Sequence, residues 1–296
     1  MLGSRPHMRV LLLTLLLATE TPGAGLSEAR AREILPLADL HTLTDAQRAQ
    51  FLEIAGDTFG YAGCNETLAR CLGANATDKH APRMAELAKA LLLDGQSTAA
   101  ILDTAERYYA SFAPEKRHKL TDQECPQLGD PKAAVALVEF SDYQCPHCAA
   151  AQKPLRDLVH ALPKVRLCSK YFPLPGHSRA IVAAGAAEFA RQKGRFWQMN
   201  DLLFTHQDAL GDSDLKGFAR DLGLDGDAML KQVYGGRFDA VIERQRKEGA
   251  DAGVRATPTL FFNGRPHILP LKYDYLLFSA QDEDEWQRNR GAWDKD

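Results

Sequence analysis

Val135-Ala-Leu-Val-Glu-Phe-Ser-Asp-Tyr-Gln-Cys-Pro-His-Cys148 is an apolar run that passes directly into a Cys-x-x-Cys motif. Val135 to Phe140 reads as a buried strand, bounded upstream by Gly129-Asp-Pro131. A helix is expected from about Cys145 to Ala161, followed by a second strand, Val165-Arg-Leu-Cys-Ser-Lys-Tyr171. Strand, helix and strand in this order imply a parallel pair. A long helical stretch runs from Ser178 to about Ala250, punctuated by Gly194, Gly211, Gly223 and Gly235-Gly236. Thr259-Leu-Phe-Phe262 and Pro266-His-Ile-Leu-Pro270 then flank Asn263-Gly264, a strong hairpin signal, with Arg265 starting the return strand. A last helix begins near Tyr273, and Asp282-Glu-Asp-Glu285 reads as its solvated face.

Upstream, Glu28 to Lys119 reads as helices only. Thr44-Asp-Ala-Gln47 is a capping box opening a helix from Ala46 to Phe59. Met84, Leu87, Leu91 and Leu92 repeat at helical spacing, Gly95 ends that helix, and Ser97 or Thr98 caps the next. Pro114-Glu-Lys-Arg-His-Lys119 reads as a linker. The fold class is therefore α/β, with an all-α region in front.

At the extreme N-terminus, Arg5, His7 and Arg9 precede the apolar run from Val10 to Ala18, and Gly23, Ala24 and Gly25 follow. That order is expected of a secretory signal peptide, residues 1–25. Nine apolar residues fall well short of the roughly 20 needed to span a bilayer. An exported chain, periplasmic or secreted and not integral to the membrane, is the expectation. The 296 residues carry 36 basic and 39 acidic side chains, a net −3, so there is no basic footprint for nucleic acid. Six cysteines are too few for a disulfide scaffold at this length, and each must be placed separately.

Cys145-Pro146-His147-Cys148 falls where a helix starts after a buried strand. A helix N-terminus carries about half a positive charge and free backbone N–H groups. A thiolate at Cys145 is stabilised there, and the thiolate is the nucleophile of disulfide exchange. Pro146 suits the first turn, where no donor is needed, and a protonated His147 adds positive charge. Stabilising the thiolate favours the reduced pair and makes its disulfide a stronger oxidant. The competing readings are half of a zinc site, which lacks a matching second ligand pair, and a static disulfide.

Residues from about 124 to 290 resemble the DsbA-like branch of the thioredoxin superfamily. The matching segments are Val138 to Cys148, Lys170-Tyr-Phe-Pro-Leu174, Gly194-Arg-Phe-Trp197, Asn200-Asp-Leu-Leu-Phe204 and Gly253 to Gly264. The resemblance implies a thioredoxin-like sheet with a helical insertion, here about 175–250 within a domain of 119–296. It implies that Thr257-Pro258 lies opposite the cysteines, with Pro258 in cis and Thr257 offering its backbone to substrate. Glu139 resembles the buried acid of thioredoxin-like enzymes, which takes the proton of the second cysteine, Cys148. Lys170 on the adjacent strand is expected to pair with Glu139. The resemblance also implies substrate proteins with free thiols or disulfides and a membrane quinone-linked reoxidant. No cofactor is implied beyond the redox-active disulfide Cys145–Cys148.

In such a fold, Cys168 neighbours the strand that Cys125 begins or precedes, so a Cys125–Cys168 disulfide is plausible, as is a pair of separate thiols. Cys64 and Cys71 would lie about 10.5 Å apart in one helix, beyond the roughly 7 Å reach of a disulfide. They can pair only if the helix starts after Cys64. The helical region, 26–118, resembles the three-helix domain of CcmH, a cytochrome c maturation thiol protein, through Tyr61-Ala-Gly-Cys64, Leu93-Asp-Gly-Gln-Ser97, Ile101 and Ala105-Glu-Arg-Tyr108. That family has a CxxC where this chain has Tyr61 and Cys64. The expected function is an exported thiol–disulfide oxidoreductase, a dithiol oxidase. The alternatives are a reductase or isomerase acting on apocytochrome thiols, and a metal- or client-binding protein.

Overall fold

The computed structural model describes residues 40–73, 80–122 and 124–293; the expected signal peptide lies outside them. The first described elements are helices: α1 (Asp45–Asp57), a single turn α2 (Leu68–Cys71), α3 (His80–Leu93) and α4 (Thr98–Ala110). Thr44 and Gln47 form the reciprocal capping box at α1. Ser97 caps α4 by accepting from the Ala100 amide. Gly95, at φ +78°, closes α3 in the left-handed conformation that a glycine C-cap supplies.

Cys64 and Cys71 form a disulfide with Cα atoms 5.8 Å apart. The condition from the sequence holds, because the helix containing Cys71 begins only at Leu68, and Phe59 bridges Thr67 to fold the chain back.

The sheet contains β1 (Gln127–Leu128), β2 (Val135–Ser141), β3 (Val165–Tyr171), β4 (Thr259–Phe262) and β5 (Arg265–Pro266), in the order β1-β3-β2-β4-β5. β2 and β3 are parallel, as the intervening helix requires, and the other pairings are antiparallel. All seven residues of β2 are buried. On one face, Val135, Leu137, Val165, Leu167, Leu260 and Phe262 pack under α5 (Pro146–Ala161) and α11 (Tyr273–Arg288). On the other, Val138, Phe140, Cys168 and Phe261 meet Phe172, Ala252 and Val254. Gln127 is paired with Cys168 across β1 and β3, which brings Cys125 within disulfide reach; the Cys125–Cys168 Cα atoms are 5.5 Å apart.

Between β3 and β4 lie five helices: α6 (Ala180–Gln192), α7 (Phe196–Thr205), α8 (Asp212–Asp221), α9 (Gly226–Tyr234) and α10 (Asp239–Asp251). All five contribute to a core with Tyr143, Cys145, Cys148 and Tyr171. This is the thioredoxin-like sheet with a helical insertion.

Two expectations need correction. Asp282-Glu-Asp-Glu285 is not a solvated face: Asp282 and Glu283 are fully buried and Asp284 nearly so. The reason is that α11 is covered on both sides. Leu276 and Ala280 pack on the sheet, while Tyr275, Phe278 and Trp286 complete the core of α1, α3 and α4. Each acid has a cation: Arg83 on Asp282, Arg117 at 2.7 Å and Arg265 at 3.0 Å on Glu283, and Lys164 at 2.6 Å on Asp284. Arg265 is itself fully buried, with its guanidinium 3.9 Å from the centroid of the Phe112 ring.

Residues 114–119 are likewise not a free linker. Arg117 is held by Glu283, and the His118 amide donates to the Gly264 carbonyl at 2.8 Å. Gly264 combines φ +81° with an approach that leaves a Cβ only 2.1 Å from the His118 carbonyl oxygen. With Asn263 at φ +48°, it makes the tight hairpin that the Asn-Gly pair predicts.

Truncating Arg265 to Leu leaves buried Glu283 with one of its two cations, which costs about 3 kcal/mol. Arg288→Leu removes an exposed partner of Asp284 and costs less than about 1 kcal/mol. Urea unfolding of the two variants measures the contrast; equal losses would show that the buried cluster contributes nothing special.

Candidate active site

Cys145 is the N-cap of α5, in extended conformation (φ −83°, ψ 118°), with Pro146 as the first helical residue. Pro146 and His147 are exposed, while Cys145 and Cys148 are buried. The two are the only free cysteines among the described residues. The Cys145 thiol donates to the Thr257 carbonyl at 3.2 Å. Thr257 precedes Pro258 through a cis peptide bond, and Thr257 is buried. Cys145, Pro146, His147, Cys148, Thr257 and Pro258 thus lie together at the end of β2 and the start of β4, although they are 112 residues apart in the chain.

The turn holding Cys145 is fixed by neighbours that the motif does not contain. Asp142 accepts from the Gln144 amide at 2.7 Å and from the Leu174 amide at 2.7 Å, and pairs with His177 Nδ1 at 2.8 Å. Gln207 donates to the carbonyls of Tyr143 and Cys145 at 2.8 and 2.9 Å. An aspartate two residues before a turn amide is a readable Asx-turn signal. Gln207 has no such signal, because it arrives from the insertion.

Glu139 lies under the cysteines on the α5 face of β2, fully buried. Gln152, one turn after Cys148, donates to Glu139 at 3.0 Å and to the Cys148 carbonyl at 3.3 Å. Burial pushes the Glu139 carboxyl up to about 7, and the Ser141 hydroxyl, Gln152 and the Arg156 charge offset only part of that. Burial, and then the nearby Glu139 carboxylate, push the Cys148 thiol far above the ordinary cysteine range.

Lys170 does not join the site. The parallel register sets Phe140 beside Lys170 and Glu139 beside Ser169. Alternation of side chains along the strands therefore sends Lys170 and Glu139 to opposite faces. Lys170 is buried and pairs with Glu248 of α10, near the Phe140 ring. It is not a partner of Glu139.

Residues 121–278 match the thioredoxin family model, more than half of the chain. The chain belongs to the thioredoxin family. Its fold is the thioredoxin-like one, a mixed sheet with five helices inserted between β3 and β4. Oxidised BdbD from Bacillus subtilis superposes with a TM-score of 0.52 at 22% identity, covering 56% of this chain and 96% of that one. A thioredoxin-like oxidoreductase from Silicibacter pomeroyi superposes with a TM-score of 0.50 at 29% identity, covering 58% and 95%. Among curated relatives, Na(+)/H(+) antiporter NhaA 1 of Salinispora arenicola is 40% identical over 141 residues, 47% of this chain. The match spans 22% of that relative's length. No described helix is long and apolar enough to cross a membrane.

Two outcomes test this geometry. In the reduced protein at pH 7, iodoacetamide is expected to modify Cys145 before Cys148, read by mass spectrometry; equal rates would show that burial does not hold Cys148 as a thiol. The second concerns stability. An unfolded glutamate titrates near about 4.3, so the folded protein holds the Glu139 proton more tightly. Stability therefore falls as pH rises from about 4 to about 7, and levels off above. Glu139→Gln is expected to be more stable than the parent at pH 8, by up to about 3 kcal/mol, with the gap closing toward pH 4. An equal gap at both pH values in urea titrations would refute the assignment.

Proposed function

We propose that the chain is an exported thiol–disulfide oxidoreductase that oxidises dithiols in substrate proteins through Cys145 and Cys148. The observation that carries this reading is a contrast: four cysteines are paired in disulfides, while the two at the α5 N-terminus are free and face Thr257-Pro258. The two static pairs support an oxidising compartment, periplasmic or extracellular.

In the oxidised enzyme, a substrate thiolate attacks Cys145 Sγ. The Cys145–Cys148 bond breaks and Cys148 leaves as a thiolate, which takes a proton from Glu139. A second substrate thiolate attacks the substrate sulfur of the mixed disulfide. Cys145 departs as a thiolate at the positive end of α5, and the substrate leaves with a disulfide. The backbone of Thr257 lies beside the mixed disulfide and pairs with extended substrate, and apolar contacts near Pro258 give loose specificity. A membrane quinone-linked partner takes the two electrons and restores the Cys145–Cys148 disulfide.

The reduction potential of the pair decides the direction of electron flow. A value near about −120 mV marks an oxidase, whereas one near about −270 mV marks a thioredoxin-like reductase. The oxidase reading predicts the first, with insulin-type thiol exchange abolished in Cys145→Ala. The second value would favour a reductase or isomerase, the role that the CcmH-like helical region suggests.

A further inference from the structure

We propose that Gln152 and Asn200 are positioning residues: a donor chain from Tyr143 through Asn200 and Gln152 ends on Glu139 and favours its ionised form, poising that carboxylate for the Cys148 proton. The inference rests on the thiol-exchange reading above and brings the helical insertion into the chemistry.

Every link points the same way. The Tyr143 hydroxyl donates to Asn200 Oδ1 at 3.1 Å. Asn200 Nδ2 donates to Gln152 Oε1 at 3.1 Å. Gln152 Nε2 donates to Glu139 Oε1 at 3.0 Å. Tyr143, Asn200 and Glu139 are all buried. An amide has one accepting end and one donating end, so turning Gln152 over would set its oxygen against the carboxylate and its N–H groups against those of Asn200. Gln152 Nε2 also donates to the Cys148 carbonyl at 3.3 Å, which fixes its donating end toward Glu139, and a hydrogen bond to the charged form of an acid favours that form.

Besides Gln152, the Ser141 hydroxyl two residues along β2 also favours the ionised form of Glu139. Cys148 and Arg156 face it from α5, and Arg156 is engaged by Asp201 of α7. Tyr143 faces it from the loop. Its strand neighbours Ser169 and Leu260 bear no charge, nor do Leu276 and Ala280 of α11 on the same face. Asn200 sits on the apolar face of α7 among Phe196, Met199, Leu203 and Phe204, where only a buried partner accounts for a polar side chain.

The proton step is simple. The Cys148 S–H bond breaks, an O–H bond forms on Glu139, and the electron pair stays on sulfur as the attacking thiolate. In the oxidising direction the same step runs in reverse.

The test uses the full chain with Cys145 as a mixed disulfide with 5-thio-2-nitrobenzoate. Attack by Cys148 releases the coloured thiolate, and its rate is followed against pH. The rate is expected to rise through an acid midpoint that disappears in Glu139→Gln. Gln152→Leu is expected to move that midpoint up by about one pH unit, and Asn200→Leu and Tyr143→Phe to move it the same way by less. Tyr143→Phe deletes a single oxygen and keeps the test valid if the larger changes impair folding. A lowered melting temperature with an unmoved midpoint in all three would overturn the proposal. Failure of the parent to release any thiolate at any pH would instead overturn the thiol-exchange reading itself.

Discussion

Strand β2 is buried along its whole length, and that constraint organises the molecule. A strand covered on both faces must send alternate residues into two different cores. Its odd positions, Val135, Leu137 and Glu139, lie under α5 and α11, while Val138 and Phe140 lie in the opposite core. The strand also ends where α5 begins, so burying it fixes the height of Cys145 and Cys148 above Glu139. The carboxyl cannot escape to water without turning the strand over. Its raised proton affinity follows from the strand's position in the sheet.

The same alternation explains what was legible in the sequence and what was not. The run Val135 to Phe140, the parallel partner and the Asn263-Gly264 turn are local signals, and each decided an element by itself. Cys145 at a helix start was legible for the same reason. Lys170 was misplaced because facing depends on register between two strands, and the register Phe140–Lys170 is set by the packing of both. Asp282 to Asp284 were misread because four acids on a terminal helix suggest solvent. Only the arrival of α1, α3 and α4 on the far side of α11, with Arg83, Arg117 and Arg265 in place, makes that stretch an interior. Buried ion pairs join segments far apart in the chain, such as Arg83 and Asp282, 199 residues apart, and no local pattern announces them.

Gln152 and Asn200 belong to an intermediate class. Each follows a readable helical spacing, Gln152 four residues after Cys148 and Asn200 on an apolar stripe. Their meaning needed the contact between α5 and α7. Both signals amount to a polar residue at a position whose neighbours are core, which is a reason to look for a buried partner.

The insertion does more than shield the cysteines. Gln207 holds the carbonyls of the Cys145 turn, Asp142 ties that turn to His177, and Asn200 reaches Gln152 beneath. A thioredoxin sheet without these helices would leave the Cys145 turn without its two clamps and Gln152 without its acceptor's partner. Each clamp is a neutral or paired group. They order the backbone around the sulfur atoms. Glu139 and Cys148 are two groups of the site that burial raises together. A proton leaving one has the other as its nearest buried acceptor, and the coupling between them is the physical basis for a proton that stays within the site through an exchange cycle.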